Sequence, residues 1–140
     1  MKRQQSGFTL IELIAVLVIL GILAATAVPK FIDLSDEAGQ VAISNIAGSI
    51  ESASALNHAV DIANDAGLSS DTFQAISACS LTAVNSLLLS ALPAPDPGPP
   101  AVAGYSVTGA ATIADKATET CTITGPTGDS ATFSLIGTVI

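Results

Sequence analysis

The sequence predicts an α+β fold: a long N-terminal α-helix packed on a small C-terminal antiparallel β-sheet. Three observations carry this. Residues 8–28 form an apolar run holding one charge, Glu12. Residues 30–66 space their apolar groups by threes and fours, the period of a helix. Within residues 105–140, short stretches alternate apolar and polar side chains, the period of a strand.

The apolar run predicts a membrane-spanning first half of the helix. At the rise of an α-helix, Phe8 to Val28 covers roughly 30 Å, the thickness of a bilayer's hydrocarbon core. A short basic leader, Met1-Lys2-Arg3-Gln4-Gln5-Ser6, precedes it and ends at Gly7. A carboxylate near the start of such a segment is expensive in lipid and marks a functional group. A secretory signal would have a shorter apolar core and a small-residue cleavage site, for which Ala24-Ala25-Thr26-Ala27 would serve. The length of the run and Glu12 argue against that reading. A plain membrane anchor explains the length but neither the Gly7-Phe8 junction nor Glu12.

The second half of the helix is amphipathic. Phe31, Leu34, Ala38, Val41, Ala42, Ile46, Ile50, Ala53, Leu56, Val60 and Ala63 predict one buried stripe. Asp33, Asp36 and Glu37 sit in its first turns, where negative charge is favoured. Pro29 predicts a kink or break at the join with the membrane segment, and Gly67 a helix stop. Residues 68–92 predict short helices, one capped by Ser70 or Asp71 and carrying Phe73 and Ile76, another from Leu81 to Leu92, with a strand as the alternative. The run Pro93-Ala94-Pro95-Asp96-Pro97-Gly98-Pro99-Pro100 predicts an extended surface loop. Strands follow at Tyr105–Thr108, at Thr118–Thr124 and at Ala131–Ile136, the last two joined by a hairpin turn over Gly125–Asp129.

The composition excludes several function classes. Four basic residues face twelve acidic ones, for a net charge of −8. Without the leader only Lys30 and Lys116 remain basic, so direct binding of nucleic acid is disfavoured. No catalytic constellation, phosphate loop or calcium-ligand spacing occurs, and no cofactor or metal is implied. His58, the single histidine, reads as a solvated or interhelical polar residue. Asn57, Asp61 and Asp65 read as a wet helix face.

The stretch Gly7-Phe8-Thr9-Leu10-Ile11-Glu12, after the basic leader and opening the apolar run, resembles the type IV prepilin signal. The leader and Phe8 are similar to the type IVa branch. The run Pro29-Lys30-Phe31-Ile32-Asp33-Leu34 and the Pro-rich loop resemble the mannose-sensitive haemagglutinin pilins. The order of elements resembles the pilin ladle fold. The resemblance implies cleavage between Gly7 and Phe8 by a prepilin peptidase, N-methylation of Phe8, and an assembly site at Phe8, Thr9 and Glu12. It implies that Glu12 neutralises the amine of a neighbouring subunit, and that helix melts between Gly21 and Pro29 inside a filament.

On this reading the chain divides into a leader (1–7), a transmembrane and assembly helix (8–28), the amphipathic half of the helix (29–66), a connecting region with the Pro-rich loop (67–104) and the sheet region (105–140). In a chain whose bulk is exported, Cys79 and Cys121 predict a disulfide. The implied function is a non-enzymatic subunit of a type IV pilus, for adhesion or motility. Its partners are further copies of itself, the peptidase, the inner-membrane assembly machinery and the membrane before assembly. The implied location is the bacterial inner membrane as precursor, then the extracellular pilus. The alternative is a pseudopilin of a type II secretion system. A membrane-anchored binding domain that never polymerises would have no need of Glu12.

Overall fold

The computed structural model describes residues 7–98 and 103–139; within α1, the side chains of residues 29 and 31–33 are not described. Leader residues 1–6, the prolines at 99 and 100, the side chains of Phe31 and Asp33, and Ile140 therefore lie outside the described features. The elements are helix α1 (Leu10–Asp65), helix α2 (Leu81–Leu87) and strands β1 (Ser106–Thr108), β2 (Thr118–Thr124) and β3 (Ser130–Ile136). The chain forms two compact units, divided after Glu37.

In the first unit the backbone is helical from Leu10 onward, and the side chains of Leu10–Val28 are exposed. This 19-residue span is long and apolar enough to cross a membrane. The helix runs without a break through Pro29, so of the kink or break expected there the break is absent from the single chain. Pro29 removes one backbone donor of the helix, and three residues before it Thr26 donates its hydroxyl to the carbonyls of Leu23 (3.0 Å) and Ile22 (3.3 Å) one turn back.

The second unit has one core. The later part of α1 contributes Ile43, Ala47 and Ile50, α2 contributes Val84, and the sheet contributes Cys121, Ile123, Phe133 and Leu135; Ile76, Cys79 and Ile113 enter from loops. The sheet is antiparallel in the order β1-β2-β3, with Cys121 opposite Phe133 and Ile123 opposite Ala131. The two-residue alternation thus puts Cys121, Ile123, Phe133 and Leu135 inward. The hairpin turn closes with Gly125 N–H donating to the Asp129 carbonyl (2.8 Å).

The buried stripe of α1 matches the predicted one only in part: Ile50 is buried and Ile46, Ala53, Val60 and Ala63 are half-buried. Ile43, Ala47, Ile50, Ser54 and Asp61 are buried, whereas Leu34, Val41 and Leu56 are exposed. The helix carries apolar groups on more than one face, and periodicity alone merged them. The Ser70/Asp71 helix is also absent: residues 69–75 contain no helix, and Ile76 bridges Thr138. The cause is local. The Asn57 amide accepts from Gln74 N–H (2.7 Å) and donates to the Gln74 carbonyl (2.8 Å), and Asn64 donates to the Asp71 carbonyl (2.6 Å). Side chains of α1 therefore satisfy the backbone that a short helix would have satisfied internally.

α1 ends in a Schellman arrangement: Gly67 has φ 69°, its N–H bonds the Asn64 carbonyl (2.9 Å), and Leu68 N–H bonds the Ala63 carbonyl (2.9 Å). The helix at Leu81–Leu87 is shorter than the predicted Leu81–Leu92 stretch. Asn85 stops it by accepting from Leu92 N–H (2.8 Å) and donating to the Leu92 carbonyl (3.1 Å).

Candidate functional site

The N-terminal end of α1 gathers the predicted cleavage and assembly residues. Gly7, Phe8 and Thr9 precede the helix and are exposed. Thr9 is the N-cap: its carbonyl accepts the first helical bond, from Leu13 N–H (3.3 Å). Glu12, three residues on, turns back toward it. Thr9 N–H donates to Glu12 Oε2 (2.8 Å), Thr9 Oγ1 donates to the same oxygen (2.7 Å), and Glu12 N–H faces Thr9 Oγ1 (3.4 Å). This is a reciprocal capping box, and it satisfies backbone donors that a helix start leaves without internal partners. The Thr-x-x-Glu spacing was a signal available in the sequence, alongside its resemblance to a prepilin signal.

The arrangement has a chemical consequence. A buried or lipid-facing carboxylate needs hydrogen bonds or an opposite charge. Thr9 supplies two hydrogen bonds, both to Oε2, so Oε1 is not engaged by Thr9. The positive end of the helix dipole lies at the same place. Phe8 immediately precedes the cap.

Gly21 and Pro29 lie farther along α1 in helical backbone. A Cβ at Gly21 would meet nothing within 4 Å, so no contact within the chain requires glycine there.

Cys79 and Cys121 belong to the second unit and are joined by a disulfide with their Cα atoms 5.6 Å apart. The bond ties the loop before α2 to the middle of β2. Cys79 N–H also donates to the Ala110 carbonyl (2.9 Å). Gly109, φ 148°, passes so close that a Cβ there would lie 2.6 Å from Cys79 Sγ. Glycine is needed at that crossing for both reasons.

The end of α1 is tied down by charge. The Lys116 ammonium pairs with Asp65 and lies 3.5 Å from Asp115, while Asp115 Oδ1 accepts from Val139 N–H (3.1 Å). The Val139 hydrogen bond, followed by the Lys116 charge, holds the Asp115 carboxyl below its ordinary range. The Asp65 hydrogen bond and charge raise the Lys116 ammonium above its own.

The face read as wet is only partly so. Asp65 is exposed, Asn57 is half-buried against loop backbone, and Asp61 is buried at 4% exposure. His58 is half-buried, its Nδ1 3.8 Å from Asp61 Oδ2. Sequence periodicity could not reveal Asp61, because a polar residue on an amphipathic helix is assigned to solvent unless its neighbours are known. Among the described residues, no three His, Cys, Asp or Glu side chains lie together as a metal-holding group.

Comparison with known proteins bears on the first of these regions. Residues 2–28 match the prokaryotic N-terminal methylation motif. The chain is 54% identical over 50 residues to the type IV narrow pilus major component PilA5 of Thermus thermophilus, covering 36% of this chain and 43% of that protein. It is 62% identical over 37 residues to the type II secretion system core protein G of Pseudomonas aeruginosa, covering 26% of each chain. The core protein G of Aeromonas hydrophila is 54% identical over 39 residues, covering 28% of this chain and 27% of that protein. The chain thus spans less than half the length of these curated relatives. No solved structure matches.

Proposed function

We propose that this chain, which carries a type IV prepilin motif at its N-terminus, is a structural subunit of a type IV pilus that polymerises through α1. The observation that carries the reading is the exposed Thr9–Glu12 capping box at the head of an exposed apolar helix, beside the Gly7–Phe8 junction. Cleavage at that junction by a prepilin peptidase would create an amine on Phe8, which the motif implies is methylated. The chain would rest in the inner membrane through Leu10–Val28 before assembly. In the filament, Glu12 would pair with the Phe8 amine of a neighbouring copy, since two charges that are each costly in an apolar bundle become tolerable together. Exposed Leu34, Val41 and Leu56 extend the apolar surface of α1 beyond the membrane span. Packing in the filament would shield the stretch from Gly21 to Pro29 if its helix opened there, giving the fibre a means to lengthen. The role is structural, not enzymatic.

The similarity to core protein G of type II secretion systems supports a second reading, a pseudopilin. Both readings share the N-terminal segment, so the fibre decides between them. Electron microscopy of sheared surface material, from cells with this gene as sole candidate subunit, should show abundant long fibres that contain the chain. Short or absent surface fibres with intact secretion dependence would favour the pseudopilin. Processed chain without any polymer would leave only an anchored domain.

A further inference from the structure

Leu89 is fully exposed, more so than any other large apolar side chain among the described residues. Isolated exposed leucines are ordinary. This one is set apart by how firmly it is presented. Leu87, Leu88 and Leu92 pack against the core on either side of it. Asn85 accepts from Leu92 N–H (2.8 Å) and donates to the Leu92 carbonyl (3.1 Å). The turn between them is thus fixed, and Leu89 stands out from it as a knob.

The same unit holds an open apolar concavity. Ala42, Ile43, Tyr105, Gly125 and Pro126 line a space of about 190 Å³ between α1 and the hairpin turn. A Cβ at Gly125 would lie 3.3 Å from Ile43 Cδ1 and 3.8 Å from Tyr105 Cε1, so a side chain there would partly fill it. Asp129 stands at its edge, the carboxylate close against Gly39. Knob and concavity lie well apart along α1. Ser86 and Leu87, just before the knob, border a groove with Ala53, Leu56 and Val60, whereas the concavity takes in Ala42 and Ile43. At the rise of an α-helix this offset is roughly 20 Å. The two are therefore not partners within one chain.

Charge selects the occupant. The chain has a net charge of −8, so copies repel unless the surfaces that touch avoid opposing carboxylates. Residues 72–95 carry no charged side chain, the longest such stretch in the chain, and they include α2 and Leu89. This segment can approach the Asp129 edge of another copy without bringing a second carboxylate.

We propose that Leu89 of one copy seats in the concavity between α1 and the hairpin turn of a second copy. A contact between two different surfaces of one chain is head-to-tail and can repeat from copy to copy along a fibre. The proposal rests on the filament reading and adds to it a contact outside the apolar run of α1. Fibres are sheared from cells whose sole subunit carries Leu89→Cys with Ala42→Cys; the native cysteines are already bonded to each other. A short bis-maleimide should join the copies into a ladder extending beyond dimers on denaturing gels, and neither single variant should link. Fibres that stay unlinked, or dimers from Leu89→Cys alone, would overturn the contact. Leu89→Asp, at a fully exposed position, should leave circular dichroism unchanged and lower fibre yield at least tenfold, while Leu89→Met keeps the yield. If the double-cysteine chain forms no fibres, this pair decides: unchanged yield from Leu89→Asp would overturn the contact. Absence of fibres from the unmodified chain would defeat the filament reading itself, and the contact with it.

Discussion

Thr9 and Glu12 satisfy each other at the head of the long helix: the carboxylate takes hydrogen bonds at 2.8 and 2.7 Å from the Thr9 N–H and hydroxyl. Glu12 therefore need not await a partner subunit to be accommodated. One oxygen is held within the chain by Thr9, and under the proposed assembly the charge would remain for an amine brought by another copy.

Two substitutions separate the cap from the charge. Glu12→Gln keeps a side-chain acceptor for Thr9 N–H but is neutral; Glu12→Val loses both. Both should be cleaved and reside in the membrane, because removing a carboxylate lowers the cost of lipid burial. Both should give sharply reduced fibre yield as sole subunit. Glu12→Val should also loosen the helix start, visible as faster amide exchange at residues 10–13. Normal fibre yield from Glu12→Gln would refute charge pairing.

The disulfide encloses a separation of 42 residues. A loop of that size corresponds to about 4 kcal/mol in the chain-entropy model. Cys79→Ser with Cys121→Ser should lower the melting temperature of the chain by well over 10 °C. Gly109→Ala should also destabilise, since its Cβ would meet the Cys79 sulfur and its φ suits glycine. Peptide mapping without reductant should recover the cross-linked pair from the unmodified chain, and alkylation of both thiols in native material would contradict the staple.

The clamp at the end of α1 has a pH window. Asp115 has a lowered folded pKa, so its contribution is present above the unfolded value and is lost as pH falls through the folded one, below about pH 4. Lys116 has a raised folded pKa, so its contribution is complete below the unfolded value and lost only as pH rises through the folded one, beyond about pH 10. Both groups are exposed, and the effects are small. Melting curves of the unmodified chain and Asp115→Asn should differ at pH 7 and converge toward pH 2. A constant difference across that range would exclude Asp115 titration as the cause.

The sheet was legible because its strands alternate cleanly: Thr118–Thr124 has the observed bounds, and Cys121, Ile123, Phe133 and Leu135 point inward as their period requires. The long helix was legible from composition and Gly67. Its buried face was legible only in part, because Leu34, Val41 and Leu56 are as apolar as Ile43 and Ile50, and nothing local says which set the sheet covers. The irregular path of residues 69–75 was hidden for a related reason. It is held by Asn57, Asn64 and Thr138, contacts that span 7 to 64 residues. At the candidate assembly site, the residues were legible from the motif, while the Thr9–Glu12 bonding required the folded helix start.

The most direct test of the central claim is the N-terminus of the chain in sheared surface filaments. Mass spectrometry should find a chain beginning at Phe8 with a methylated amine, assembled in fibres. A mature N-terminus near Ala27, or fibres built from chain that still carries Gly7, would contradict the account.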